Sequence, residues 1–256
     1  MRTILSFFVA ILLVASTSTF AQKYRPAEYK VQFDKTTASA WVVSVDEEPL
    51  DALKKSWSAY VRQELNVKSK KDGRSALIAK EVTIPRIAES TGDLRARFYT
   101  ENNESQMAVA FTTGYSTSIN TEDSPEEAEN LRQLTKNFVK YYKTNSLNGQ
   151  IAQYEKREKS LTSSYGKNER EQKQLTKRVA KVEKQMKSDK SDENKKFDLK
   201  NEKIADESRM AALDAIMVNQ KKELIAINKT IQQLRADISY LETLFAEPVA
   251  KKNVGQ

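Results

Sequence analysis

Apolar residues recur with alternating gaps of three and four over the last quarter of the chain and do not lose step. With Met210 as an a position, Met210, Met217, Leu224, Ile231, Ile238 and Phe245 fall at a, and Leu213, Gln220, Ile227, Leu234 and Leu241 at d. A single apolar helix face drifts at 3.6 residues per turn, so a strict heptad kept over five repeats predicts a coiled coil. Gln220 is the lone polar residue in this seam and a candidate for setting its register. Pro248 is expected to stop the helix, leaving a polar tail over 248–256.

A weaker seam precedes it. Ile151, Tyr154, Leu161, Tyr165, Leu175, Val179, Val182 and Met186 take a and d positions, with Glu158, Asn168 and Gln172 interrupting. Between the two seams, residues 188–203 are polar apart from Phe197 and Leu199. The pattern predicts an antiparallel coiled-coil helical hairpin over 148–247 with a polar tip near 188–196. Folding the chain there brings Leu224 beside Glu158, Ile231 beside Ile151 and Phe245 beside Phe138. At about 1.5 Å per residue each arm reaches roughly 55–60 Å. Gly149 either joints the first helix or sits within it at a cost of about 1 kcal/mol, and the pattern does not choose.

The front of the chain follows a different rhythm. Residues 40–45 (AWVVSV) are β-branched and aromatic, hence a strand. Pro49 suits a helix start, Asp46, Glu47, Glu48 and Asp51 favour its positive end, and Leu50, Leu53, Trp57, Tyr60 or Val61, and Leu65 supply an apolar face. Residues 68–73 read as a charged turn, and 76–84 as a strand stopped by Pro85. Leu94, Ala96 and Phe98 alternate with Arg95, Arg97 and Tyr99. If Asn102-Asn103 form a turn, Phe98 opposes Met107, Ala96 opposes Val109 and Leu94 opposes Phe111, all on one face. Ser124-Pro125-Glu126-Glu127 then opens a second helix carrying Leu131, Leu134, Phe138 and Tyr141 or Tyr142. The class is α+β: a small antiparallel sheet with two helices, in the order β-α-β-β-β-α over 39–147, after a lead-in segment at 22–38.

The amino end changes the address. Met1-Arg2-Thr3 is followed by an apolar run of about 12 residues, short of the roughly 20 that cross a bilayer, and then by small residues. This predicts a secretory signal peptide over 1–21 with cleavage near Ala21/Gln22, and an exported protein, periplasmic or secreted. No cysteine follows the run, so lipid attachment of the lipoprotein kind is excluded, and no membrane span is expected in the mature chain.

Composition narrows the chemistry. The 256 residues include no histidine and no cysteine, which removes thiol nucleophiles, disulfides, Ser-His-Asp triads and the usual zinc sites. No glycine-rich phosphate loop or nucleophile elbow is present. Loose carboxylates near residue 46 are better explained as helix-start charges than as a catalytic pair. No cofactor, no metal and no enzymatic activity are expected.

Charge is uneven. The net charge is +8, yet residues 22–149 carry 19 basic against 18 acidic groups, and 150–256 carry 23 against 17. Lys167, Arg170, Lys173, Lys177, Lys181 and Lys184 fall opposite the weaker seam as a basic stripe. It is either a solubilising outer face or an attractor of anionic envelope components or acidic proteins; nucleic acid fits the charge but not the address. Arg95, Arg97 and Tyr99, beside Gln106, Ala108 and Ala110, are a second candidate contact surface, the alternative being an ordinary solvated sheet face.

Export, basic character and helical arms together make a parts list similar to that of periplasmic holdase chaperones of the jellyfish type. The likeness is one of class, because those carry a small oligomerising β body where a full α+β domain stands here. Three functions are expected in descending order: a non-enzymatic envelope interaction or scaffold protein, a holdase whose basic arms cradle acidic clients, and a carboxylate-dependent hydrolase in the front domain. Self-association through the coiled coil is a further expectation.

Overall fold

The computed structural model describes residues 24–246 apart from Lys35, Glu47, 115–116 and 189–192. The expected signal peptide, its cleavage point, the polar tail and the centre of the polar tip lie outside the described residues. The chain divides into two compact units, one of residues up to Asn145 together with those from Tyr240 onward, the other Ser146–Ser239.

The first unit is α+β. Its elements are β1 (Ala27–Phe33), β2 (Thr36–Ser44), α1 (Leu50–Leu65), β3 (Lys70–Asp72), β4 (Ala76–Ile84), β5 (Ala88–Glu101), β6 (Glu104–Thr113), β7 (Thr117–Ser118) and the first turns of α2 (Pro125–Ser188). The strands form one antiparallel sheet in the order β1-β2-β6-β5-β4-β3, with β7 also on β6. The β5–β6 register is the expected one, Leu94 opposite Phe111, Ala96 opposite Val109 and Phe98 opposite Met107. Asn102 and Asn103 have φ of 51° and 65°, the left-handed pair that a two-residue β-turn of matching twist requires.

Three strands were not expected. β1 lies in the lead-in segment, where Tyr29, Val31 and Phe33 alternate with Glu28, Lys30 and Gln32. β3 occupies the supposed charged turn; a three-residue edge strand tolerates lysines because one side of it needs no apolar cover. β7 is two residues long and leaves almost no pattern to read.

One sheet face carries the main core. Trp41, Val43, Leu94, Ala96, Phe98, Met107, Val109 and Phe111 are buried there with Leu53, Trp57 and Val61 of α1 and Leu131, Phe138 and Val139 of α2. Trp57 meets Phe138 edge-on at 5.1 Å, and Tyr60 meets it at 5.5 Å. Phe245, at the end of α3 (Glu193–Phe245), is 7% exposed in the same core and stacks near Tyr24 at 6.2 Å.

The opposite face is not a solvated surface. Phe33, Ala108 and Ala110 have no exposed area, and Val31, Ala38 and Ala40 are buried with them. Arg97 Nη1 donates to the Gln32 carbonyl at 2.5 Å. β1 and β5 are separated by β2 and β6, about 14 Å in a flat sheet, so this contact requires strong coiling. The alanines make that possible, because small side chains on the concave side let the strands bend inward around Phe33.

The second unit contains the remainder of α2 and most of α3, two long helices packed together. Gly149 lies inside α2, so the chain does not joint there. Ion pairs between the helices join Glu155 to Arg235, Arg157 to Glu223, Glu171 to Arg209 and Glu183 to Lys203. Partner numbers fall on α3 as they rise on α2, so the helices run in opposite directions. Ile151, Ile227, Ile231 and Leu234 are buried together, flanked by Leu147, Tyr154, Leu161 and Ile238.

Candidate functional site

The heptad row of α3 turns inward. Leu213, Ile227, Ile231, Leu234 and Phe245 are buried, and Met210, Met217, Gln220, Leu224, Ile238 and Leu241 are partly buried. Leu241 and Phe245 pack into the first unit's core rather than into the helix pair. Gln220 uses both ends of its amide: Asn168 Nδ2 donates to its Oε1 at 3.1 Å, and its Nε2 donates to Ser164 Oγ at 3.0 Å. The interruption at Asn168 and the polar position at Gln220 are therefore one hydrogen-bonded layer.

Basic residues of α2 sort into two groups by helix face. Arg157 and Arg178 lean across to α3: Arg157 Nη2 lies 2.5 Å from Glu223, and Arg178 Nε 3.2 Å from the buried Asp206, close but not aligned as a hydrogen bond. Hydrogen bonds to Arg209 and Lys203 hold the Glu171 and Glu183 carboxyls below the usual range. The second group faces away. Lys167, Arg170, Lys173, Lys177, Lys181 and Lys184 are all exposed. Lys173 pairs with Glu169 at 3.1 Å; the other five have no acidic partner among the described residues.

This outer face extends further than the six expected residues. Lys156, Lys159 and Lys167 border a shallow groove of about 410 Å³ with Ser160, Ser163 and Ser164. At about 100° per residue, 156, 159, 167, 170, 173, 177, 181 and 184 fall within an arc of roughly 120°, and the row is about 42 Å long. Reading the i+3/i+4 spacing backward from Lys167 would have found the first two.

Arg95, Arg97 and Tyr99 are brought together on the concave sheet face, but each is engaged. Arg95 reaches Asp93 at 3.3 Å and Asp72 at 3.6 Å. Arg97 holds the Gln32 carbonyl and lies 5.3 Å over the Tyr99 ring. Burial pushes the Tyr99 hydroxyl pKa up.

A constellation that the residue pattern did not single out joins the β2–α1 connection, the residues before β1, and α2. Lys143 Nζ sits 2.8 Å from Asp46 and 3.0 Å from Glu48. Tyr24 Oη donates to Asp46, and Tyr142 Oη to Glu48 at 2.8 Å. Lys143 also lies 5.9 Å over the Tyr24 ring. Burial, reinforced by these carboxylates, raises both tyrosine pKa values well above the ordinary phenol range. Acids placed as helix-start charges thus also anchor α2: the lysine charge is spent on two carboxylates, which suits a clasp.

Among the described residues no group of three or more acidic side chains is placed to hold a metal ion, and no helix is long and apolar enough to cross a membrane. No protein-family model, no curated protein and no solved structure matches the chain.

Proposed function

We propose that this protein is an exported, non-enzymatic scaffold of the cell envelope. Its long helices form an antiparallel coiled-coil hairpin whose basic outer face engages an acidic protein or another anionic envelope component. The observation that carries this reading is the row of Lys156, Lys159, Lys167, Arg170, Lys177, Lys181 and Lys184, all exposed and none with an acidic partner among the described residues. Clustered like charge repels itself and earns no stability, whereas a long single-sign stripe raises the local concentration of an anionic partner. Ile151, Ile227, Ile231 and Leu234 are buried between two helices of one chain, and this reading therefore takes the free protein as a monomer in place of the self-association that the seam alone suggests. Light scattering with crosslinking tests this; a stable trimer or larger assembly argues against it and for an arm-and-cavity chaperone.

A second reading, the holdase, is favoured by one observation. Phe197, Ile204, Val218 and Ile225 are 64, 50, 53 and 62% exposed and lie seven or fourteen residues apart on α3. With Ala211 between them they make an apolar row on the face away from the seam. Apolar and basic rows on one unit suit an unfolded acidic client. Suppression of client aggregation that weakens with added salt supports this reading; no suppression at low salt removes it.

A further inference from the structure

The first unit carries a separate basic feature, between α1 and the sheet edge. A groove of about 620 Å³ opens there, walled by Asp51, Lys54 and Lys55 of α1, by Lys71 of β3 and by Arg74 just after it, four cations against one carboxylate. Of its two β4 lining residues, Leu77 turns its side chain to the α1 side, while Ala76 contributes main chain because its side chain points to the opposite face. Lys71 stands opposite Leu77 in the β3–β4 register, so its side chain rises on the same sheet face as α1. Lys54 is already committed, to Asp51 and to the Arg74 carbonyl, each at 3.2 Å. Lys55, Lys71 and Arg74 are exposed and without an acidic partner among the described residues.

The strand beside this groove is an open edge. β3 pairs with β4 on one side and, among the described residues, with nothing on the other. Unpaired N–H and C=O groups on such an edge accept an added strand, and main-chain bonds supply affinity while alternate side chains supply selection. Lysines guard an edge against neutral or basic strands but attract an acidic one.

We propose that the groove between α1 and β3 receives an extended acidic peptide, which adds to the sheet beside β3. Every second side chain of the added strand turns towards α1. Carboxylates at i and i+2 on that face would then meet Lys71 and, across the mouth of the groove, Lys55 and Arg74. The partner is an acidic segment of another protein, and the site is distinct from the basic face of α2.

The test uses the full chain and a fluorescently labelled heptapeptide with glutamate at alternate positions, followed by anisotropy. Saturable binding should weaken at least tenfold in Lys55→Glu/Lys71→Glu and stay unchanged in Lys167→Glu/Lys177→Glu/Lys181→Glu. A peptide N-methylated at alternate amides should lose binding to the unaltered protein, and amide exchange at residues 70–72 should slow when the unmodified peptide binds. The proposal is overturned if the peptide does not bind, if Lys55→Glu/Lys71→Glu leaves affinity unchanged, or if the N-methylated peptide binds equally well.

Discussion

Asn168 on α2 donates a 3.1 Å hydrogen bond to Gln220 on α3, across the interface between the two long helices. The pairing matters because apolar heptads alone tolerate a shift of one repeat. A polar layer does not, since a slipped register would leave two amides without partners. Gln220→Leu should destabilise the protein by about 1–2 kcal/mol, because Asn168 and Ser164 lose their partner. Gln220→Leu/Asn168→Leu should recover most of that loss. Urea unfolding of the four proteins gives the coupling directly, and additivity of the two single changes would show that the layer does not act as a unit.

The Lys143 clasp is partly buried, with side-chain exposure of 14% for the lysine and 28% and 25% for Asp46 and Glu48. Lys143→Met keeps the stem but leaves two carboxylates facing each other. The expected loss is about 2 kcal/mol, below the cost of a fully buried pair because solvent reaches the carboxylates. Chemical denaturation at neutral pH measures it; a change under about 0.5 kcal/mol would mean the carboxylates find other partners.

Alkaline stability follows from the tyrosines. Burial first, and neighbouring acids second, raise the pKa values of Tyr24, Tyr60 and Tyr142 above the ordinary phenol value of about 10. Above that value the unfolded chain releases phenol protons that the folded protein retains, so stability is full below pH 10 and falls as pH rises beyond it. Unfolding midpoints at pH 8 and pH 11 should differ, and Tyr24→Phe/Tyr142→Phe should shrink the difference. An unchanged pH dependence in that variant would contradict the assignment.

Two glycines should respond in opposite directions. A Cβ at Gly92 would stand 2.5 Å from the Thr112 carbonyl oxygen and 2.6 Å from the Phe111 ring. Gly92→Ala should therefore cost about 1–3 kcal/mol through overpacking. Gly149 lies within α2 with nothing near its missing Cβ, so Gly149→Ala should stabilise by about 1 kcal/mol. Thermal unfolding of each variant checks both signs.

How far the residues announced the fold depends on how local the deciding physics is. Leu94, Ala96 and Phe98 could be registered against Phe111, Val109 and Met107 because two asparagines fix the turn between them. Leu50–Leu65 was legible from spacing alone. β1 alternates clearly but reads as a lead-in, since its partner β2 follows after only two residues and the two merge into one polar-apolar stretch. The coiling that buries Ala108 and Ala110 is not local: it depends on Phe33 and on Arg97 reaching Gln32, 65 residues away. The basic face was visible as spacing, but which cations are spent on α3, as Arg157 and Arg178 are, follows only from packing.

The proposed binding face consists of the cations on α2 that have no acidic partner among the described residues. The direct measurement is binding of labelled dextran sulfate, an extended polyanion, to the full chain and to Lys167→Glu/Lys177→Glu/Lys181→Glu across ionic strength. The expected result is at least a tenfold loss of affinity in the variant, with a shallower salt dependence and an unchanged circular dichroism spectrum. Equal affinity and equal salt dependence in the two proteins would show that this face is a solubilising surface.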